Sequence, residues 1–151
     1  MPIREVKHKL LELKAAGKLD KVRMVLLTNC TFDGIVYNVQ RVMEECLAIK
    51  KDLIFLWDEA WFAFARFNPT YRQRTAMDVA NNMRASLRTP ETALAWDKQQ
   101  EALKDADAET IMNTLLVPPP DARVRVYATQ STHKTLTSLR QGSMIHVNDQ
   151  D

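Results

Sequence analysis

The sequence predicts an α/β fold in which helices flank a mostly parallel sheet. Short apolar runs typical of buried strands alternate with longer segments of helical periodicity, and short connections join them. A strand, a helix and a second strand joined in this way form a right-handed crossover, which leaves the two strands parallel. With 151 residues the chain is long enough for one domain with a substantial core, so we treat residues 1–151 as one unit.

The first half of the chain provides two predicted helices and two predicted strands. Residues 4–16 have apolar side chains on one helical face, and Gly17 follows the expected end. Residues 22–27 form an apolar run too short for a helix, which predicts a buried strand before a segment rich in turn formers. A second helix is predicted over residues 36–50 and a second strand over residues 53–57. The apolar positions that indicate the two helices are Val6, Leu10, Leu13, Val36, Val39, Met43 and Cys46.

Residues 75–120 are predicted to be helical, and we interpret them as an insertion packed on the outside of the sheet. Apolar spacing predicts one helix interrupted by Pro90, a second after it, and a third that reaches Leu116. A run of prolines then ends the helical pattern, because proline lacks the backbone N–H that a helix needs. The sheet resumes at residues 123–128, and residues 144–147 provide the last predicted strand.

Bulk composition argues against several classes of function. Apolar residues make up 46% of the chain and charged residues 26%, and the net charge is +2. Because lysine and arginine are scattered along the sequence, neither nucleic acid nor a membrane is an expected partner. Cys30 and Cys46 match neither a metal-binding spacing nor a disulfide framework, and no signal peptide or membrane-spanning run is evident. We therefore expect a soluble cytoplasmic protein without a metal site.

Two predicted strands lead to side chains that can carry chemistry. Asp58 follows the second strand, and the loop after the third strand carries Ser131, His133 and Lys134. Parallel strands end at the same edge of a sheet, where open α/β folds hold their ligands. An acid and a lysine at that edge form a simple ion pair in one interpretation. In another they hold pyridoxal phosphate, whose aldehyde needs a lysine and whose ring nitrogen needs a carboxylate.

Three motifs in a fixed order make the cofactor interpretation specific. They are Thr-Asn-x-Thr-Phe-Asp-Gly-x-x-Tyr-Asn at residues 28–38, Asp-Glu-Ala-Trp at residues 58–61 and Ser-Thr-His-Lys at residues 131–134. Over residues 20–76 and 122–149 the chain resembles the bacterial ornithine/lysine/arginine decarboxylase family, whose members use pyridoxal phosphate. The resemblance implies that the chain is a fragment of the cofactor-binding major domain, which has the fold of the aspartate-aminotransferase-like large domain.

The resemblance also implies a reaction, the removal of the α-carboxylate from arginine, lysine or ornithine. Lys134 resembles the lysine that forms a Schiff base with the cofactor, and Asp58 resembles the partner of the pyridine nitrogen. His133 is expected beside the phosphate or the reacting carbon. Lys134 and His133 are therefore the expected catalytic residues.

Further cofactor contacts are implied for Ala60, Trp61 and Ser131. Ala60 is small enough for the cofactor ring to lie flat on the turn, and Trp61 is expected to offer its indole N–H to the phenolic oxygen. Ser131 is expected to donate its hydroxyl to the phosphate. Full members of the family are several times longer than this chain and form homo-oligomers, so we expect the chain alone to be inactive.

Two other functions are less favoured. Asp58 and Glu59 at a strand end resemble the magnesium-binding acid pair of a nucleotide hydrolase, but the Gly-x-x-x-x-Gly-Lys-[Ser/Thr] loop of such enzymes is missing. A non-catalytic interaction module that keeps the sheet remains the second alternative.

Overall fold

The structure is a computed structural model that describes residues 2–139 and 141–149. Within these residues the helices and strands, in chain order, are α1 (Ile3–Ala15), β1 (Met24–Thr28), α2 (Val39–Ile49), β2 (Ile54–Asp58), α3 (Pro69–Arg72), α4 (Ala76–Ser86), α5 (Pro90–Ala102), α6 (Ala108–Asn113), β3 (Arg125–Ser131), α7 (Thr132–Thr135) and β4 (Ser143–Asn148). Short 3₁₀ turns at Leu19–Lys21 and Ala63–Phe67 complete the described secondary structure.

The strands form one mostly parallel sheet in the order β1-β2-β3-β4, which confirms the predicted fold class. β1, β2 and β3 are parallel, and β4 runs antiparallel to β3 at the edge. The register places Thr28 beside Asp58 and Asp58 beside Thr129. The carboxyl ends of the three parallel strands therefore meet at one edge, which we call the carboxyl edge.

One face of the sheet is buried beneath helices α1, α2 and α4, and we call it the buried face. Phe55 of β2 and Val126 of β3 are fully buried there, and Leu27 of β1 is 7% exposed. Burial of an apolar side chain of this size contributes about 1.5–3 kcal/mol to the stability of the fold. The α2 helix supplies the largest share of the helical side of this core, through Val39, Val42, Met43, Cys46, Leu47 and Ile49.

The opposite face of the sheet is open to solvent at both edge strands, and we call it the open face. On β1, Met24 is 46% and Leu26 is 60% exposed; on β4, Ile145 is 61% and Val147 is 57% exposed. The prediction of a fully buried first strand is therefore wrong on this face. The helices cover only one side of β1. The apolar run in the sequence does not reveal this, because both sides of the strand carry apolar residues.

The observed ends of several elements differ from the predicted ones for local reasons. Val36 pairs with Cys30 in an isolated bridge, so α2 begins only at Val39. The Asn38 side chain caps this helix by accepting a hydrogen bond from the Arg41 N–H at 3.1 Å. Pro90 does not break a helix but begins α5, where a proline loses no intrahelical hydrogen bond.

Residues 75–120 contain α4, α5 and α6, which differ in how deeply they are buried. The α4 helix packs against β3, β4 and α2, and its side chains Val79, Ala80 and Met83 belong to the main core. The α5 helix has no buried residue. The α4 helix therefore packs on the sheet as part of the main core, and the status of residues 75–120 as an insertion stays a prediction.

Candidate functional site

Asp58 is the last residue of β2 and lies at the centre of the carboxyl edge. Its Oδ1 accepts a hydrogen bond from the backbone N–H of Ala60 at 3.0 Å, which fixes the turn that follows the strand. The Thr129 hydroxyl lies 3.5 Å from the same oxygen. Within the described residues Oδ2 has no hydrogen-bond donor, so one oxygen of a partly buried carboxylate is available to a ligand.

Lys134 lies over the face of Trp61, with 5.1 Å between its Nζ and the ring centroid. A cation in this position is stabilised by about 0.5–1 kcal/mol at an exposed site. The Trp61 ring is itself held by Phe32, which meets it edge-on at 5.2 Å between centroids. Lys134 is exposed, and in the described part of the chain its ammonium has no ion pair or hydrogen bond. The Trp61 ring therefore positions the amine of Lys134, which remains accessible to solvent.

Ser131 and His133 occupy different local structures from those predicted. β3 continues to Ser131, which pairs with Ser143 of β4, and the next residues form the single helical turn α7 instead of a loop. The strand is longer than predicted because β4 pairs with it from Val126 to Ser131. Ser131 is partly buried, and His133 is exposed with no hydrogen bond among the described residues.

The structure thus brings Asp58, Ala60, Trp61 and Lys134 to one edge of the sheet. Ala60 lies in the turn after β2, and the turn containing Lys134 packs against the 3₁₀ segment Ala63–Phe67 that follows Trp61. Asp58 and Lys134 form no ion pair, so the interpretation of these two residues as a simple ion pair is wrong. Ser131 and His133 lie next to Lys134 in the chain but make no contact with Asp58 or Trp61 through hydrogen bonds.

Glu59 forms a buried polar network that sequence reasoning missed. It is fully buried, and its Oε1 accepts hydrogen bonds from Asn29 Nδ2 at 2.9 Å and from the Ala76 N–H at 2.7 Å. Its Oε2 accepts from Gln130 Nε2 at 3.1 Å. The Ala76 N–H is the first of α4, where the helix dipole favours a negative charge. The sequence does contain a signal for the burial of Glu59, because alternation along β2 places residue 59 on the same face as Phe55 and Trp57.

The network continues to β4 and ties four segments together behind the site. Gln130 Oε1 lies 3.0 Å from His146 Nε2, so the chain of hydrogen bonds runs from His146 through Gln130 to Glu59 and Asn29. These segments are β4, β3, the turn after β2 and the loop after β1. The network therefore fixes the backbone from which Asp58 and Trp61 project.

The predicted acid pair of a nucleotide hydrolase does not form. Asp58 faces the open side of the sheet, whereas Glu59 is enclosed by hydrogen-bond donors on the other side. The two carboxylates therefore cannot share one magnesium ion. Among the described residues no group of three or more histidine, cysteine, aspartate or glutamate side chains is placed to hold a metal.

Cys30 lies close to the site but remains a neutral thiol. Burial raises the pKa of its thiol, and the negative charges of Glu59 and Asp33 raise it further. The thiolate is the nucleophilic form of cysteine, so these surroundings keep Cys30 unreactive near neutral pH. Its role here is to pack with Phe62 and Ala65 beneath Trp61.

Comparison with known sequences identifies the family of the chain. The profile of the family described as "Orn/Lys/Arg decarboxylase, major domain" matches residues 2–111. This match covers more than half of the chain, so the chain belongs to that family. It includes the motifs at residues 28–38 and 58–61 but ends before β3. The roles of all the candidate site residues stay predictions.

Curated relatives support the same family. The chain is 28% identical to the lysine decarboxylase LdcA of Pseudomonas aeruginosa over 135 residues, which is 89% of this chain and 13% of the relative. It is 31% identical to the biodegradative arginine decarboxylase of Escherichia coli over 124 residues, or 82% of this chain and 11% of the relative. A lysine decarboxylase of Hafnia alvei is 25% identical over 122 residues, 81% of this chain and 11% of that protein.

The chain therefore spans roughly an eighth or less of the length of these relatives. No solved structure matches the chain. Across the part of the chain that the structure describes, no helix combines the length and apolar character needed to cross a membrane.

Proposed function

We propose that this chain forms part of the cofactor site of a pyridoxal-phosphate-dependent decarboxylase of basic amino acids. The observation that carries the proposal is the arrangement of Lys134 over Trp61 at the sheet edge where Asp58 ends β2. The family and its lysine- and arginine-decarboxylating relatives supply the class of reaction. Arginine, lysine and ornithine are the proposed substrates, and the full-length protein is proposed to be a homo-oligomer.

The side chains at the carboxyl edge fit the chemical groups of pyridoxal phosphate. The cofactor has an aldehyde that needs an amine and a ring nitrogen that needs a carboxylate, and Lys134 and Asp58 offer both without ties to other side-chain charges. The indole N–H of Trp61 has no acceptor among the described residues and suits a phenolic oxygen. When bound, pyridoxal phosphate supplies an electron sink for the pair of electrons left at the substrate's α-carbon.

In this reaction the protein residues would orient the cofactor and balance its charge. The Ala60 N–H holds one oxygen of Asp58, so the carboxylate presents its other oxygen to a protonated ring nitrogen. Lys134 would hold the cofactor through its amine, and Lys134 or His133 would supply the proton that the α-carbon of the substrate takes up. Ser131 would donate its hydroxyl to the phosphate.

We further propose that the chain alone does not turn over substrate. Lys134 and His133 are both exposed, whereas decarboxylation depends on a site from which water is excluded. The proposed location is the cytoplasm, since Cys30 and Cys46 are both buried free thiols.

Equilibrium dialysis against pyridoxal phosphate tests the cofactor assignment. The wild-type chain is expected to retain cofactor in a saturable manner, with Asp58→Asn and Lys134→Ala each weakening retention about tenfold or more. The matched control is Lys98→Ala, because Lys98 is an exposed lysine of α5. Equal retention by Lys134→Ala and Lys98→Ala would contradict the assignment and favour the interaction module instead. Carbon dioxide release from arginine, lysine and ornithine is measured in parallel.

A further inference from the structure

Phe32 is a large apolar side chain that lies beside the candidate site and is left mostly in solvent. It is 83% exposed, although Cys30 and Phe62 close by are buried. Its ring contacts Trp61, with 5.2 Å between the ring centroids and 83° between the ring planes. A phenylalanine that stays in solvent adds little to the stability of the fold through burial. Packing in a core therefore does not account for the position of Phe32.

The loop after β1 presents Phe32 on a well-defined turn. The Gly34 N–H donates a hydrogen bond to the Thr31 carbonyl at 3.0 Å, which closes the turn. Phe32 and Asp33 occupy its two central positions. The Thr31 N–H donates to the Ile35 carbonyl at 2.9 Å, and the Thr31 hydroxyl donates to the Asp33 carboxylate. Gly34 has a φ of +83°, a conformation that favours glycine. The backbone that carries Phe32 is therefore held by hydrogen bonds on both sides of the ring.

The orientation of Trp61 sets two of the contacts proposed for the cofactor. The Lys134 amine lies 5.1 Å from the centroid of this ring, and the indole N–H lies at the edge of the same ring. The aldehyde and the phenolic oxygen of pyridoxal phosphate are attached to neighbouring carbons. The amine and the N–H that would meet them must therefore also lie side by side, and a rotation of Trp61 would move both.

We propose that Phe32 is a positioning residue that orients Trp61 and, through it, Lys134. This role in cofactor binding rests on the proposed function. The buried cluster of Cys30, Phe62 and Ala65 packs against the Trp61 ring from the interior. Phe32 contacts the same ring from the exposed loop, and Trp61 is its one aromatic partner among the described residues. Removal of the Phe32 ring therefore frees Trp61 on its outer side without opening a cavity in the core.

NMR spectroscopy of the chain without cofactor tests the positioning directly. Protons above the face of an aromatic ring resonate upfield, so the ε-methylene protons of Lys134 are expected upfield of those of the other lysines. We expect this upfield shift to be roughly halved or smaller in Phe32→Ala, because Trp61 loses an aromatic contact. Phe32→Tyr keeps the ring and is expected to keep the shift. The matched control is Ile35→Ala, which removes an exposed apolar side chain from the same loop and is expected to leave the shift unchanged.

Labelling of Lys134 by pyridoxal phosphate, followed by borohydride reduction, tests the consequence for the cofactor. We expect Phe32→Ala to lower the labelling of Lys134 roughly two- to tenfold, the factor that corresponds to one aromatic pair. Phe32→Tyr is expected to restore it, and Ile35→Ala is expected to label like the wild type. A purely structural role of the loop would not distinguish Phe32→Ala from Phe32→Tyr by the position of one lysine.

The two measurements separate the role of Phe32 from the proposed function. An unchanged Lys134 shift in Phe32→Ala, or an equal change in Ile35→Ala, would overturn the positioning role. Labelling that prefers Lys134 in the wild type and equally in Phe32→Ala would overturn that role but leave the proposed function standing. A wild-type chain with the expected shift but with no preference for Lys134 would contradict the proposed function and, with it, the role of Phe32 in cofactor binding.

Discussion

The two faces of the sheet differ in what they contribute to the protein. The buried face is packed with apolar side chains and contains the fully hydrogen-bonded carboxylate of Glu59. The open face has exposed apolar side chains at both edges and ends in Asp58, whose carboxylate accepts few hydrogen bonds. Adjacent residues therefore have different surroundings: Glu59, in the turn after β2, stabilises the fold, whereas Asp58, the last residue of β2, keeps one carboxylate oxygen available to a ligand.

The largest expected effect of this difference concerns the two adjacent acids. Glu59→Ala removes the acceptor of three hydrogen bonds, from Asn29, Ala76 and Gln130. Asn29 Nδ2 keeps its bond to the Arg74 carbonyl, whereas the other two donors have no further acceptor among the described residues. We expect it to lower the free energy of unfolding by roughly 4 kcal/mol, since each buried unsatisfied group costs about 1–3 kcal/mol. Asp58→Ala loses the bond from the Ala60 N–H and the long one from the Thr129 hydroxyl, and is expected to cost about 1 kcal/mol. Urea denaturation measures both.

A similar loss of stability in the two variants would contradict the separation between the faces. Glu59→Gln sharpens the test, because the amide keeps one acceptor oxygen but turns the other position into a donor that faces Asn29 or Gln130. We expect its stability to lie between those of the wild type and Glu59→Ala.

The adjacent leucines of β1 provide an apolar version of the same comparison. Leu27 is 7% exposed on the buried face, whereas Leu26 is 60% exposed on the open face. Leu27→Ala is expected to lower the free energy of unfolding by about 3 kcal/mol, through lost burial and the cavity that remains. Leu26→Ala is expected to change it by less than about 0.5 kcal/mol. Equal effects in urea denaturation would mean that the open face is covered in solution.

The two buried cysteines make the free energy of unfolding depend on pH in the alkaline range. Burial, aided by the charge of Glu45, raises the pKa of the Cys46 thiol to about 12, and the pKa of Cys30 is also raised. An unfolded thiol ionises at about pH 8.5. The native state therefore binds a proton that the unfolded state loses, and the stability that Cys46 contributes is lost as the pH rises from about 8.5 towards 12.

Urea denaturation at pH 7 and pH 10 measures this effect. Cys46→Ala is expected to lose less stability between the two pH values than the wild type does. Cys30→Ala is expected to behave more like the wild type, because its pKa shift is smaller. An unchanged loss of stability in Cys46→Ala would contradict the burial of this thiol.

Much of the fold could be predicted because its signals are local. The strand that ends in Asp58, the helix after the turn at residues 28–34 and the parallel crossover all follow from short-range periodicity. The exposure of Leu26 could not be predicted, since an apolar run does not show which face a helix covers. The end of β3 at Ser131 depends on pairing with β4, a contact between segments distant in sequence.

In the candidate site, too, local sequence patterns predict some features and not others. Asp58, Trp61 and Lys134 were identified from motifs, and the structure places them at one edge. The Glu59 network depends on α4 lying across the sheet, which no local pattern specifies. Alternation along β2 did place Glu59 on the buried face, but its partners Asn29 and Gln130 come from other strands' ends.

The most direct test of the central claim, that Lys134 is the cofactor lysine, is a map of the lysines that react with pyridoxal phosphate. The chain is mixed with the cofactor and reduced with borohydride, and the modified peptides are identified by mass spectrometry. We predict preferential labelling of Lys134 over the other lysines, and loss of that preference in Asp58→Ala. Labelling spread evenly over the lysines, or labelling of Lys134 that is unchanged in Asp58→Ala, would contradict the assignment.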